Sequence, residues 1–189
     1  MRSTARAFLG LLAAVLTIPA VQATTAVERT EADLIQESTL IVTGRCTHLQ
    51  SQGAGRTLVT LATIQVSEVL KGGAVSTVTV ALPGGLDSNR RIPVAMSFPA
   101  APVILQQENV LLFLIPQPLV AGSYSIAGFS QGKFSLVEDA QGKSLATQSL
   151  GGLKVQGNGG SLHRGEGKSI PLDELRARIR DGRAAGNRR

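Results

Sequence analysis

The sequence is poor in the residues that carry much of enzyme chemistry. Its 189 residues include one cysteine, two histidines, one tyrosine and no tryptophan. The single Cys46 cannot form an internal disulfide, so the fold must be held together by packing alone. Neither His48 nor His163 has an Asp, Glu or Cys beside it at the spacing of metal ligands, so no metal site is predicted. The glycine-rich stretches also lack the spacing of a phosphate-binding loop.

The first 23 residues have the composition of a secretory signal peptide. Arg2 and Arg6 precede an apolar run from Phe8 to Val21, and Val21-Gln22-Ala23 is a small-x-small cleavage site. The run is too short to span a bilayer, and no cysteine at the cleavage site offers a lipid anchor. We therefore predict an exported protein, periplasmic or extracellular. Its mature chain should begin at Thr24 and contain no transmembrane segment.

The net charge is confined to the carboxy-terminal end of the chain. The formal charge of +6 falls to +4 when the two leader arginines are removed. Residues 163–189 carry this +4, with eight basic and four acidic side chains, whereas residues 24–162 hold nine of each sign. Any attraction to anionic partners therefore belongs to the tail. Because the tail has no aromatic residues for base stacking, there is no strong nucleic-acid signal.

Alternation of apolar and polar residues from Leu40 onward is typical of β-strands. Leu40, Val42 and Cys46 fall on one face of the first strand. The almost wholly apolar segment Asn109–Ile115 predicts a strand that is covered on both sides. Seven or eight strands at regular spacing predict a mainly β domain, a small OB-like or closed antiparallel barrel. Before it, Thr30 predicts the N-cap of a short helix that ends near Glu37.

The carboxy-terminal part departs from the strand pattern. Seven of the 17 residues from 151 to 167 are glycine, which predicts a flexible linker. The helix that follows has an apolar stripe of Leu172, Leu175 and Ile179, and Gly182 is expected to end it. This helix either docks on the barrel or binds an anionic surface such as lipid headgroups, cell-wall polymer or nucleic acid. The predicted organisation is a signal peptide over 1–23, a β-barrel domain over 24–150, a linker over 151–168 and a basic helix and tail over 169–189.

The densest local pattern is Gly128-Phe129-Ser130-Gln131-Gly132-Lys133-Phe134. We predict that it forms the turn of a β-hairpin between strands over 123–129 and 133–137. Its residues either satisfy the packing of that hairpin, or present Gln131 and Lys133 as a polar patch at the barrel rim. Arg90 and Arg91, at the end of a loop that begins at Gly84, complete the candidate binding rim.

Several of these segments also carry a resemblance to known families. Four segments within residues 30–138 resemble a group of uncharacterised bacterial exported proteins: Leu40–Gly44, Val66–Gly72, Val110–Leu114 and Gly128–Phe134. The first two are also similar to the netrin-like modules of metalloproteinase inhibitors, which implies a five-stranded OB-type barrel with flanking helices. Those inhibitors place a disulfide-linked amino-terminal cysteine on the protease zinc. Because the only cysteine here is Cys46, the resemblance implies the fold but not that mechanism.

These observations predict an exported, non-catalytic binding or accessory module. The expected partner is a protein or a component of the cell envelope, and no residue is assigned a catalytic, cofactor or metal role. One alternative is a partner or inhibitor of a secreted protease that acts by inserting a loop. The other is a hydrolase of unrecognised type, which would need a serine, His48 and an acid within hydrogen-bond reach.

Overall fold

The computed structural model describes residues 25–88, 91–150, 152–157 and 160–186. The predicted signal peptide and Arg90 lie outside these ranges. The described residues form the following elements in chain order: β1 (Thr25–Val27), α1 (Glu31–Glu37), β2 (Leu40–Ala54), β3 (Thr57–Lys71), β4 (Thr77–Pro83), β5 (Gly85–Asp87), β6 (Val94–Met96), β7 (Asn109–Pro116), β8 (Tyr124–Ile126), a 3-10 helix (Phe129–Gly132), β9 (Lys133–Glu138), β10 (Ser144–Thr147), β11 (Lys154–Gln156), β12 (Leu162–Arg164), β13 (Ser169–Pro171) and α2 (Leu172–Gly186).

Five strands form a ring in the order β7–β2–β3–β4–β8–β7. Four of the five neighbouring pairs are antiparallel, and β4 and β8 run parallel. This arrangement confirms the prediction of a mainly β protein with a small OB-like barrel. The barrel is not strictly closed, because β4 and β8 pair only at Val80 and Tyr124. Outside the ring, β9 pairs with the part of β7 that β8 leaves uncovered, and β10 and β13 extend the sheet beyond β9.

The long hairpin of β2 and β3 supplies much of the barrel wall. Each strand has 15 residues, and the connection between them places Gly55 at a φ of +62°, which glycine adopts without steric cost. The pairing shifts register at three points between Ile41 and His48, and such bulges bend a strand around a barrel. At Gly44 a Cβ atom would lie 2.4 Å from the backbone oxygen of Gln65. The wall therefore requires glycine at this position.

The barrel interior holds aliphatic side chains that alternate along the strands. Leu40, Val42 and Cys46 of β2 point inward, as the period-two pattern predicts. On β7, residues 110, 112 and 114 also point inward, while Leu111 and Phe113 point outward into a second core. The prediction that this strand is covered on both sides is confirmed. Burial makes Cys46 harder to ionise and raises the pKa of its thiol.

The second core lies outside the barrel, beneath the two α-helices. Helix α1 begins with a capping box between Thr30 and Asp33, as predicted, and buries Leu34 and Ile35. Helix α2 buries the predicted stripe, so it docks on the barrel. It does not end at Gly182, and that prediction is wrong. Gly182 instead allows close packing, since a Cβ atom there would lie 2.8 Å from Cδ1 of Ile35.

Ion pairs neutralise several basic residues of α2 and the segment before it. Lys168 and Arg178 both pair with Glu31 at the start of α1, at 2.5 and 3.1 Å. Arg176 pairs with Glu68 of β3 at 2.7 Å. Burial alone would raise the pKa of Glu31, but its two cationic partners outweigh burial and hold the pKa below its usual value. These residues stabilise the docked helix, and so they are less available to an external anion.

The glycine-rich segment differs from the flexible linker that its composition predicts. It contains β11 and β12, and β11 pairs with β1 at the amino-terminal end of the described chain. Leu153 and Val155 are buried, and with Leu150 they form a third small apolar cluster. Two apolar residues among the glycines are therefore enough to hold the segment against the rest of the protein.

The predicted hairpin over residues 123–137 is wrong. β8 and β9 both pair with β7, along different parts of the same edge, and not with each other. Gly128 and Phe129 each have a φ of +63°. They turn the chain into the 3-10 helix that lies between β8 and β9. At Gly132 a Cβ atom would meet the backbone oxygen of Ala127 at 2.4 Å. The glycines thus allow a buried turn rather than an exposed hairpin tip.

Candidate functional site

Two adjoining cavities lie beside the end of β4, and the first of them opens between β4 and β8. Their volumes are about 360 and 520 Å³, and Pro83, Phe98 and Pro102 line both. We call the pair the seam groove. The first cavity also contacts the start of β3, the end of β8 and the loop after β7, through residues such as Leu58, Ile126 and Leu119. The second extends along the loop from 97 to 104.

The seam groove is uncharged and is bordered by exposed apolar side chains. Among the described residues, no Asp, Glu, Lys, Arg or His lines either cavity. Nine large apolar side chains of the described chain are exposed, and three of them line the groove: Phe98, Val103 and Leu119, at 42–66%. Leu86 and Leu105, which are also exposed, follow the lining residues Gly85 and Ile104 in the sequence. Apolar residues concentrated in this way commonly mark an interaction surface.

The loops around the groove are fixed to the barrel by hydroxyl groups. Thr60 Oγ1 donates to the backbone oxygen of Gly84 at 2.9 Å, and Ser51 Oγ accepts from Leu86 N at 3.2 Å. Gly84 has a φ of +93°, and a Cβ atom there would lie 2.6 Å from the backbone oxygen of Met96. The hairpin of β5 and β6 is therefore held against β2 and β3, which keeps one wall of the groove in place.

Backbone strain also occurs at the groove. Ala100 and Phe129 have φ values of +57° and +63°, which non-glycine residues rarely adopt. Ala100 lines the second cavity and Phe129 the first. Such conformations cost about 1–3 kcal/mol each and tend to occur at functional sites. Two of the three non-glycine residues with a positive φ in the described chain thus line the groove, and the third, Gln107, does not.

Gln131 is buried, at 3% exposure, and does not lie at an exposed rim. Its Nε2 donates to the backbone oxygen of Val27 at 2.9 Å, and its Oε1 accepts from Arg29 N at 2.8 Å. Its own backbone oxygen accepts from Nε2 of Gln148. Gln131 therefore ties the segment after β1 to the 3-10 helix.

Lys133 is also mostly buried, in a polar cluster beside β7. Its Nζ contacts Oε1 of Glu108 at 2.6 Å and Oγ of Ser135 at 2.8 Å. Burial would raise the pKa of Glu108, but hydrogen bonds from Lys133, Leu105 N and Ser135 outweigh it and lower the pKa. The cluster fixes the loop before β7 to β9, and Lys133 does not form a rim patch with Gln131.

Of the two predicted arginines, Arg90 lies outside the described residues and Arg91 is exposed between β5 and β6. Ile92, next to it, is the most exposed large apolar residue of the described chain, at 75%. Gly84 and Gly85, where this loop begins, line the second cavity of the seam groove. Gln131 and Lys133 face other surroundings, so neither forms one site with Arg91.

The residues that catalysis would need are not brought together. His48 is exposed on β2 and does not line the seam groove. Residues 128–132 fit the Gly-x-Ser-x-Gly spacing of serine hydrolases, but the Ser130 hydroxyl is buried and has no hydrogen-bond partner within the described chain. No group of three His, Cys, Asp or Glu residues in the described ranges could hold a metal ion.

Sequence reasoning missed Phe98, Leu119 and Phe129 as groove residues. A signal was present, because Phe98 precedes Pro99 and Leu119 follows Pro118, in segments that form no strand of the described structure. Loops are usually polar, so large apolar residues beside prolines indicate a surface that something else covers.

No protein-family model matches the chain, and no curated protein or solved structure matches it either. Neither helix of the described residues is long and apolar enough to cross a membrane.

Proposed function

We propose that this protein is an exported, non-catalytic binding module that holds an extended aliphatic segment of a partner protein in the seam groove. The observation that carries the proposal is the uncharged groove lined by three exposed apolar side chains, Phe98, Val103 and Leu119. The two cavities share Pro83, Phe98 and Pro102, and such neighbouring pockets can accept successive side chains of an extended segment.

Charge favours a protein partner over a lipid surface. Lipid-binding surfaces on peripheral proteins usually combine apolar residues with clusters of Lys and Arg. Residues 24–162 balance nine basic against nine acidic side chains, and the excess positive charge lies in the tail. An apolar segment of a protein needs no such cluster, because burial of aliphatic surface supplies the affinity.

The test is binding of the mature protein to an array of aliphatic and charged peptides, with two matched variants. Leu119→Glu places a charge at the groove, while Val137→Glu replaces an exposed apolar residue on β9. We expect selective binding of aliphatic peptides that Leu119→Glu abolishes and Val137→Glu preserves. Equal behaviour of the two variants, or no preference for aliphatic peptides, would contradict the proposal.

A second candidate function is favoured by Arg91 and Ile92. Both are exposed on the hairpin of β5 and β6, and three residue pairs close the base of that hairpin. An exposed arginine on such a loop fits the acidic specificity pocket of a trypsin-like protease. The protein would then act as a protease partner or inhibitor. We expect inhibition of such a protease that Arg91→Ala removes; rapid cleavage after Arg91, or no effect, counts against this function.

A further inference from the structure

A third cavity lies between the amino-terminal segment and β12, and its lining differs chemically from that of the seam groove. Its volume is about 530 Å³, and it is lined mainly by polar and charged residues. We call it the polar cavity. Two apolar side chains, Leu150 and Val155, also line it. This volume is within the range of ordinary small-molecule sites.

Several charges that line the polar cavity are already neutralised. Arg29 pairs with Glu37 at 3.0 Å, and Lys168 pairs with Glu31. His163 lies 3.7 Å from Glu28 and can pair with it when protonated. Arg29 and Lys168 therefore have internal partners and offer little to a ligand.

Arg164 and Glu166 remain without an ion pair in the described part of the chain. Both line the cavity, on either side of Gly165. A Cβ atom at position 165 would lie 2.8 Å from Cδ1 of Leu150, so glycine lets the chain lie directly on the apolar lining. The cavity thus presents one positive and one negative charge two residues apart.

The side-chain amide of Gln148 adds a third polar group. Gln148 is only 7% exposed and lines the cavity. Its Nε2 donates to the backbone oxygen of Gln131, and no donor among the described residues reaches its Oε1. That oxygen is not one of the fully buried unpartnered atoms of the described chain, so it keeps some exposure at the cavity wall and can accept a hydrogen bond from an N–H group of a ligand.

We propose that the polar cavity binds a short zwitterionic peptide. Arg164 would receive the terminal carboxylate, for which a guanidinium offers paired donors, and Glu166 would receive the terminal ammonium. Oε1 of Gln148 would accept the peptide N–H, and Leu150 and Val155 would contact an aliphatic side chain. This site is independent of the seam groove and takes a free, small ligand rather than a segment of a folded partner.

The test uses the mature protein and a panel of unblocked dipeptides with aliphatic side chains, followed by thermal shift and calorimetry. The same dipeptides are also tested with an acetylated amino group or an amidated carboxyl group. We expect binding of the unblocked forms, with each block weakening it about tenfold or more, as expected for loss of a charged hydrogen bond.

Variants separate this site from nonspecific charge effects. Arg164→Gln should weaken binding as much as amidation does, and amidation should then have no further effect on that variant. Glu166→Gln should weaken binding as much as acetylation does, and acetylation should then have no further effect on that variant. The control Lys143→Gln removes an exposed charge from the turn after β9 and should bind like the wild type. Absence of binding by every unblocked dipeptide, or equal binding of blocked and unblocked forms, would overturn the proposal.

Discussion

The helix-covered face of the barrel and the seam groove both carry large apolar side chains, but only the first is covered. Phe113 and Phe134 are fully buried beneath α1 and α2, with their ring centroids 6.0 Å apart. Phe98 at the groove is 42% exposed, and Leu119 is 66% exposed. The difference separates residues that hold the fold together from residues that are available to a partner.

The largest contrast is expected between two phenylalanines. Phe113→Ala should lower the free energy of unfolding by about 3–5 kcal/mol, because it leaves a cavity in a fully buried core. Phe98→Ala should cost no more than about 1 kcal/mol, since much of that ring is already in water. Urea denaturation of both variants measures the difference. Similar losses of unfolding free energy would mean that Phe98 belongs to the core, and would contradict the distinction between the covered face and the groove.

Helix α2 offers the next test of the covered face. Leu175 is fully buried, so Leu175→Ala should lower the free energy of unfolding by about 2–4 kcal/mol. Arg180 is exposed on the same helix, and Arg180→Ala should change it by no more than about 0.5 kcal/mol. If both variants unfold like the wild type, the helix is not part of the folded core.

The barrel wall beneath both regions can be tested at two glycines of β2. Gly44→Ala should cost about 1–3 kcal/mol, because its Cβ atom would collide with the backbone of β3. Gly53→Ala is the matched control, since no atom lies within 4 Å of a Cβ at that position. Thermal unfolding distinguishes them. Equal melting temperatures would show that the close approach at Gly44 is unimportant.

The smallest effect concerns the ion pairs of the covered face. The folded-state pKa of Glu31 is lowered, so its stabilising contribution is complete above the unfolded-state pKa and is lost as the pH falls through the folded-state value. Glu31→Gln should therefore lose less stability than the wild type when the pH falls below about 4. Melting temperatures measured across this range provide the test. The melting temperature of Lys143→Gln, which retains Glu31, should follow that of the wild type. If the melting temperature of Glu31→Gln falls with pH in parallel with that of the wild type, the expectation is contradicted.

Local signals in the sequence were sufficient to predict some of the regular elements. The Thr30 capping box, the strand alternation at Leu40 and the doubly covered β7 depend on neighbouring residues or on simple periodicity. The position of Gln131 depends instead on which strands pair across the ring. Since β8 and β9 share one edge of β7, the turn between them is buried, and no local pattern reports that.

The candidate sites depended even more on long-range contacts. Gly182 has the residue type of a helix terminator, but its contact with Ile35 determines its role. The seam groove exists because β4 and β8 pair at a single point, and the loops that border it come from distant parts of the chain. Composition could indicate that a binding surface is present, but only the topology brings Phe98 and Leu119 to the same groove.

The most direct test is to titrate the mature protein with the best-bound aliphatic peptide and to follow its backbone amides by NMR. Binding in the seam groove should shift the amides of Phe98, Val103 and Leu119, while those of Leu111 and Leu175 on the covered face stay in place. Shifts centred on the covered face, or none near the groove at saturating peptide, would contradict the assignment of the groove as the binding surface.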